Sequence, residues 1–166
     1  MTQILTPRLR LRRARIEDAE PLFEVFRDPR AMRYWSTPPH PDLEETRRFV
    51  QAMVEAPGDI SDDFVIERDG RVVGKAGCWR LPEVGYILHP DLWGQGLARE
   101  AMPAVIGRMF QVRGVPALTA DVDPRNRRSL GLLARLGFLE THRASRTYRI
   151  GEEWCDSIYL RLDREA

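Results

Sequence analysis

One stretch of the chain, residues 84–109, has residue types and a spacing that are typical of a ligand-binding site. Gly94, Gly96 and the small Ala98 stand where a predicted strand (84–88) gives way to a predicted helix. The first turn of a helix leaves backbone N–H groups without partners and carries the positive end of the helix dipole, so it attracts anions. Glycine and alanine let a phosphate reach those N–H groups. The stretch therefore predicts an anion site, although a plain strand-to-helix turn that binds nothing has the same pattern.

The two glycines also admit a dinucleotide-binding interpretation. That pattern requires a third glycine at position 99, where this chain has Arg99, and it belongs to a longer series of βαβ units. The chain meets neither condition well. A nicotinamide dinucleotide is therefore disfavoured as the ligand.

A second pattern extends along nearly the whole chain. Its parts, in order, are Thr6-Pro7-Arg8-Leu9-Arg10-Leu11-Arg12, Asp18-Ala19, Asp28-Pro29, Arg33-Tyr34, Trp93-Gly94-Gln95-Gly96-Leu97-Ala98, Glu100-Ala101, Asp123-Pro124-Arg125-Asn126, Ser129 and Leu136-Gly137-Phe138. In residue type, spacing and order these parts resemble the Gcn5-related N-acetyltransferases (GNAT). The branch that they resemble contains the ribosomal-protein-alanine N-acetyltransferases.

The elements that must position these motifs follow from periodicity and turn residues. Alternating arginine and leucine predict a strand at 8–13, and Asp69-Gly70 predicts a tight hairpin between strands at 63–69 and 71–79. The other predicted elements are helices at 16–27, Leu43–Glu55 and 127–136, a long helix after Gly96, and strands at Glu83–Leu88, 117–123, 138–150 and 154–162. The order βααβββαβαββ predicts an α/β fold with a mixed, mostly antiparallel sheet and flanking helices. The resemblance implies the acyl-CoA N-acyltransferase fold, in which the parallel pair splays apart.

The same resemblance implies acetyl-CoA as co-substrate, with its pantetheine arm between the two splayed strands. The pantetheine would bond the backbone of Ile87 and Leu88, whose side chains are expected in the core. The pyrophosphate would lie on the N–H groups of the glycine loop, near the side chain of Arg99. Asn126 would bond the pantetheine or the thioester region and could also cap the following helix. The full set implied to bind the cofactor is Ile87, Leu88, Trp93, Gly94, Gln95, Gly96, Leu97, Ala98, Arg99 and Asn126.

Acetyl transfer needs a base for the amine, a donor for the oxyanion and an acid for the leaving thiolate. Strand alternation places Glu83 near the carbonyl and makes it the candidate base, although a glutamate at a strand start is commonly a solvated charge. The backbone N–H of Leu88 would donate to the oxyanion. Many relatives carry a tyrosine acid where this chain has Leu133, which leaves Ser129, or no acid, for a thiolate that departs readily near neutral pH. The prediction is direct attack in a ternary complex.

Aromatic residues are candidates for the acceptor pocket, which in the family lies opposite the cofactor. The first helices and the last hairpin build this pocket in the family, so Tyr34, Trp35, Trp79, Tyr148 and Trp154 could line it, although large aromatics also dominate ordinary cores. Of these, Tyr34, Trp35 and Trp79 are the predicted acceptor-binding residues. A protein N-terminus, a free amino acid, a polyamine and an antibiotic amine all remain open as acceptors. An acetyl-CoA-binding sensor or scaffold without turnover is the alternative function.

Composition bounds the remaining possibilities. The chain has 166 residues, which suits one domain spanning 1–166. Its 26 basic residues, all arginine except Lys75, are balanced by 25 acidic ones, which disfavours nucleic acid as a partner. No apolar run predicts a membrane span or signal sequence, so we expect a cytoplasmic protein without a membrane partner. Cys78 and Cys155 form no metal-ligand pattern, so no metal is expected, and a homodimer is compatible with the family.

Overall fold

A computed structural model describes residues 2–165 of the chain. Its strands are β1 (Gln3–Leu5), β2 (Arg10–Arg12), β3 (Asp62–Arg68), β4 (Arg71–Arg80), β5 (Glu83–Leu88), β6 (Ala117–Val122), β7 (Leu139–Ile150) and β8 (Glu153–Asp163). Its α-helices are α1 (Ala19–Phe26), α2 (Pro29–Met32), α3 (Leu43–Glu55), α4 (Leu97–Gln111) and α5 (Arg127–Arg135). The strands form one sheet in the order β1-β2-β3-β4-β5-β6-β8-β7.

Strand pairing is antiparallel throughout this sheet except between β5 and β6. The predicted mixed, mostly antiparallel α/β fold is therefore confirmed. β4 pairs with β5 from one end of β5 to the other: Arg80 lies opposite Glu83, and Gly74 lies opposite Leu88. Within residues 2–165, β5 and β6 pair at Glu83 and Thr119 alone. The two parallel strands consequently diverge toward Leu88 and leave a cleft between them.

The N-terminal region holds two more elements than the sequence predicted. The predicted strand at 8–13 is shorter in the structure, and a preceding three-residue strand, β1, pairs antiparallel with it. Three residues are too few to show a strand period. The short helix α2 was also missed. Its local signal is Asp28, whose side chain accepts a hydrogen bond from the N–H of Arg30, followed by Pro29 in the first turn.

Local sequence signals explain several other boundaries. The β3–β4 hairpin turns at Asp69 and Gly70, both with positive φ (49° and 77°), as a two-residue hairpin of this type requires. Asp42 caps α3 by accepting from the N–H of Glu45 at 2.9 Å. Pro103 lies inside α4 on its exposed side, away from the packed core. In the described part of the chain, no helix has the length and apolarity of a membrane span.

Two apolar clusters cover the two faces of the sheet. On one face α1, α2 and α3 pack against the strands through residues such as Phe26 and Val50. On the other face α4 and α5 pack against the strands, and Leu133 is among the buried side chains. Because side chains alternate along a strand, β5 contributes Ile87 to the first cluster and Leu88 to the second. Burial on both faces fixes β5, while its edge toward β6 stays open.

Candidate active site

The backbone of β5 offers different groups to its two neighbours. The N–H of His89 donates to the carbonyl of Val73 on β4 at 2.8 Å, which fixes the alternation along the strand. In an antiparallel ladder, every second residue turns its N–H and C=O toward the same neighbour. The groups of Ile87 therefore face β4, opposite Lys75, and those of Leu88 face β6. The backbone of Ile87, which was predicted to bond the pantetheine, is paired with β4 instead. Because β6 pairs at the opposite end of β5, the N–H of Leu88 points into the cleft and has no strand partner in the described part of the chain.

Trp93 lies at the open end of this cleft. Its indole Nε1 donates to the carbonyl oxygen of Leu88 at 3.1 Å. The guanidinium of Arg128, in the first turn of α5, lies 5.0 Å from the centre of the Trp93 ring, which is cation–π distance. Trp93 thereby links the glycine loop to β5 on one side and to α5 on the other. Arg128 was not among the predicted site residues.

The loop that leads into α4 has the features of an anion site. Gly94 and Gly96 both have left-handed backbones, with φ of 78° and 76°. Among residues 2–165 no side chain caps the first turn of α4, whose first internal hydrogen bond is from the N–H of Glu100 to the carbonyl of Gly96. A Cβ added to Gly94 would meet nothing within 4 Å, so the loop borders open space. The preceding N–H groups of Leu97 and Ala98 therefore lack helical partners, although the Leu97 side chain itself belongs to the core.

An arginine from the N-terminal segment holds this loop from outside. Arg8 donates from its backbone N–H and its Nε to the carboxylate of Glu100, at 2.7 and 2.6 Å. Its Nη1 also donates to the carbonyl of Gln95 at 2.8 Å. Partial burial alone would raise the pKa of Glu100, but hydrogen bonds from Thr6 and Arg8 lower it. Sequence reasoning missed this contact because no pattern connects positions so far apart.

The side chains of the other predicted loop residues are either packed against the protein or exposed to solvent. The side chain of Gln95 turns away from the loop, and its Oε1 accepts from Arg68 at 2.6 Å. Ala98 is half-buried, and Arg99 is exposed beside the first turn of α4. The side chains of Ile87 and Leu88 are buried, as predicted. The contribution of the loop to binding would thus come mainly from its backbone.

A hydroxyl pair lies between β5 and the start of α5. Asn126 caps α5 by accepting from the N–H of Ser129 at 3.2 Å, as its capping pattern predicted. The hydroxyl of Tyr86 donates to the Oγ of Ser129 at 2.9 Å. Burial raises the pKa of Tyr86, and the hydrogen bond to Ser129 opposes that rise only in part. Tyr86 was missed, although strand alternation from Leu88 places it on the α5 side of β5.

Glu83 lies where the two parallel strands are still paired, opposite Thr119. Alternation places its side chain on the same face of β5 as Ile87, which is the face covered by α1 and α3. The side chain is exposed, yet partial desolvation and, second, the charge of Asp121 raise the pKa of its carboxyl. A raised carboxyl pKa suits a base that works near neutral pH. Glu83 and Ser129 thus lie on opposite sides of the strand.

The predicted acceptor residues fall into two groups. Trp79, 49% exposed, stacks on Phe49 with 6.4 Å between ring centres. The Nζ of Lys75 lies 6.0 Å from the Phe49 ring and 5.5 Å from the Trp35 ring, so Lys75 lies close to both aromatic groups. Tyr34 instead lies under the guanidinium of Arg125, 5.6 Å away. The structure therefore brings Trp35 and Trp79 toward one wall and puts Tyr34 beside the segment that leads into α5.

Comparison with known proteins gives the class of this fold and site. The family model "Acetyltransferase (GNAT) domain" matches residues 8–139. The chain belongs to the GNAT family of acetyltransferases, which confirms the family and the enzyme class predicted from the sequence.

Individual relatives agree with that family. An N-acetyltransferase called p20 from Bacillus licheniformis is 29% identical over 83% of this chain and 83% of its own. The [ribosomal protein uS5]-alanine N-acetyltransferase of Escherichia coli is 34% identical over a shorter stretch, 52% of this chain and 44% of its own. The crystal structure of spermidine N-acetyltransferase from Vibrio cholerae with CoA and spermine superposes with a TM-score of 0.79 at 17% identity, over 94% of this chain and 95% of that one.

Proposed function

We propose that this chain, acting as one domain over residues 1–166, moves an acetyl group from acetyl-CoA to a primary amine by direct attack in a ternary complex. The observation that carries the proposal is the edge of β5 facing β6, where within residues 2–165 the N–H of Leu88 has no strand partner, beside the start of α4, which no side chain there caps. An extended pantetheine arm can bond to an open strand edge, and a pyrophosphate can bond to a free helix start. The small residues of the loop fit a phosphate at that position.

The proposed chemistry assigns one role to each group around the cleft. The N–H of Leu88 donates to the thioester oxygen as negative charge develops there. Glu83 accepts the proton that the amine must lose through a chain of waters, since it lies five residues before Leu88, roughly 16 Å along an extended strand. Ser129, on the other side of the strand, donates to the departing sulfur. The arrangement lets the amine enter from the face of α1 and α3 while the thiolate leaves on the face of α5.

The acceptor class follows from the relatives only in broad terms. One relative acts on the alanine of a ribosomal protein, and another was crystallised with spermine. Both acceptors present an amine to the thioester. We propose a protein N-terminus or a small-molecule amine as the acceptor here, with Tyr34, Trp35 and Trp79 beside it. The predicted cytoplasmic location would give access to either.

Thiol release from acetyl-CoA in the presence of an amine panel tests this function. The panel contains spermine, free alanine and a peptide that begins with alanine, and the Glu83→Gln variant is the matched control. We expect release with at least one amine, and a large loss in the variant. Acetyl-CoA binding without release on any amine would instead favour the sensor or scaffold function, for which the buried Leu133 at the position of the usual acid is the supporting observation.

A further inference from the structure

Tyr86 and Ser129 connect the two elements that border the cleft. Tyr86 belongs to β5 and Ser129 to the first turn of α5, 43 positions further along the chain. Their hydroxyl oxygens are 2.9 Å apart, with Tyr86 as the donor. Within residues 2–165 the Tyr86 hydroxyl makes no other hydrogen bond. The tyrosine ring packs against the α4–α5 cluster, so a phenylalanine would serve that packing equally well.

The direction of this hydrogen bond determines where the Ser129 hydrogen can point. A serine hydroxyl has a single hydrogen and two acceptor positions. One acceptor position is filled by Tyr86, so the hydrogen of Ser129 must point away from Tyr86. In many helices a serine donates to the carbonyl one turn earlier, but Ser129 makes no such bond with the described residues. Its hydrogen is therefore available to the cleft.

The usual position of the acid in this family cannot provide a proton here. Leu133, which occupies that position, is 1% exposed and lies in the core. The hydroxyl pair beside the cleft consists of Ser129, one turn before Leu133 in α5, and Tyr86 in β5. Because burial keeps the pKa of Tyr86 above its ordinary value, Tyr86 stays a protonated donor through neutral pH.

We infer that Tyr86 is a positioning residue, which holds the Ser129 hydroxyl so that its hydrogen faces the departing sulfur. This inference rests on the proposed acetyl transfer. As the carbon–sulfur bond breaks, both bonding electrons go to sulfur, and the Ser129 hydroxyl donates a hydrogen bond to the thiolate, which takes its proton from water as CoA leaves. The hydrogen bond from Tyr86 polarises the Ser129 hydroxyl and strengthens this donation, and Ser129 keeps its proton. Tyr86 itself keeps its proton.

A double-mutant cycle tests this role in the thiol-release assay. We expect Ser129→Ala to lower kcat up to about 100-fold, as the loss of a hydrogen bond to a charged group does. Tyr86→Phe should lower kcat about 10-fold, the effect of one hydrogen bond, with KM for acetyl-CoA unchanged. The double variant should match Ser129→Ala, because Tyr86 acts only through Ser129. Tyr159→Phe is the matched control, since the Tyr159 hydroxyl makes no hydrogen bond within residues 2–165.

A second measurement does not depend on turnover. Free CoA presents the thiolate that Ser129 would bond, whereas acetyl-CoA does not. At about pH 9, where an ordinary thiol is largely ionised, Tyr86→Phe and Ser129→Ala should each weaken CoA binding about 3- to 10-fold and leave acetyl-CoA binding unchanged.

The two measurements separate failure of this inference from failure of the proposed function. Three results would overturn the role of Tyr86. The first is a double variant whose loss of kcat equals the product of the two single losses, and the second is a kcat for Tyr86→Phe within twofold of the parent. The third is a ratio of CoA affinity to acetyl-CoA affinity that neither variant changes. A parent protein that releases no thiol with any amine would overturn the proposed transfer. In that event the affinity ratio still decides whether Tyr86 orients Ser129 toward a thiolate.

Discussion

The two halves of the cleft are built from different chemical groups. The proposed cofactor half consists mainly of backbone: the N–H of Leu88 at the strand edge facing β6 and the first N–H groups of α4 beyond Gly96. The proposed acceptor half consists of side chains, with Glu83 at the closed end of the cleft and Trp79 on an exposed wall. Any sequence with this fold presents the same backbone groups, whereas the side chains differ and determine which amine can bind as the second substrate.

This difference separates what is shared within the family from what is particular to this chain. The cofactor half depends on glycine positions and on strand divergence, so we expect it to tolerate most side-chain changes and few backbone changes. The acceptor half should show the opposite sensitivity. Of the five predictions below, the four on binding and turnover test this contrast, from the largest expected effect to the smallest, and one concerns stability.

Replacing Gly96 with glutamate should abolish acetyl-CoA binding and all turnover. The new side chain would place a carboxylate where the phosphate is expected, on a backbone with φ of 76° that disfavours any side chain. Gly114→Glu is the matched control, because Gly114 also has positive φ (66°) and open space around it but lies outside the loop. Titration calorimetry of both variants measures the effect. Equal affinity in the two variants would remove the loop from the cofactor site.

Replacing Glu83 with glutamine should lower kcat about 100-fold and leave acetyl-CoA affinity unchanged, since the base acts only in the chemical step. In the parent, kcat should fall as the pH drops through the raised pKa of Glu83. Asp121→Asn should move that fall to lower pH, because Asp121 contributes to raising the pKa. Rate profiles against pH for the three proteins test this assignment. If kcat falls at the same pH in Asp121→Asn as in the parent, the base is a group other than Glu83.

The same raised pKa has a consequence for stability. A carboxyl whose pKa is higher in the folded than in the unfolded state opposes folding once it is charged, at pH values above its folded pKa. Glu83→Gln should thus melt no lower than the parent at neutral pH. The difference should disappear in acid, where the carboxyl is neutral in both states. A markedly lower melting temperature at neutral pH would show that Glu83 makes a favourable folded-state contact.

Replacing Trp79 with alanine should raise KM for the acceptor about 10-fold, in line with the loss of one exposed aromatic contact, and leave acetyl-CoA affinity unchanged. Trp154→Ala is the comparison, because Trp154 is similarly exposed (44%) but lies on the β7–β8 hairpin. Steady-state kinetics with the best amine of the panel distinguish the two. A larger effect from Trp154 would place the acceptor against the hairpin rather than against the wall formed by Trp79 and Phe49.

Replacing Arg8 with alanine should weaken acetyl-CoA binding about 3- to 10-fold, as expected for a few partly exposed hydrogen bonds that hold the glycine loop. Arg10→Ala is closely matched, since both side chains are 43% exposed and paired with a glutamate, yet only Arg8 contacts the loop. Calorimetry with acetyl-CoA compares the two variants. Equal losses would mean that general charge, and not the loop contact, is responsible.

Much of the fold could be predicted because its signals are local. The Asp69-Gly70 turn, the Asn126 cap and the glycines before α4 each act within a few residues, and the structure has the predicted elements there. β1 and α2 escaped prediction because three or four residues carry no periodicity. β1 exists through its pairing with β2, which a single sequence does not display, whereas α2 carries a short capping signal at Asp28 and Pro29.

The candidate site divides in the same way. Glycine spacing and strand order indicated the backbone groups of the cofactor half. The bonds from Arg8 to Glu100 and from Tyr86 to Ser129 connect residues 92 and 43 positions apart, so no local pattern could indicate them. The residues predicted for catalysis and for the acceptor stay predictions until the variants are measured.

Calorimetric titration of the parent protein with acetyl-CoA, beside NAD as the comparison ligand, tests the central claim most directly. The open edge of β5 and the free start of α4 predict one acetyl-CoA site per chain and no measurable binding of NAD. Absence of acetyl-CoA binding, or equal binding of the two ligands, would contradict the claim that this cleft is built for the pantetheine and pyrophosphate of acetyl-CoA.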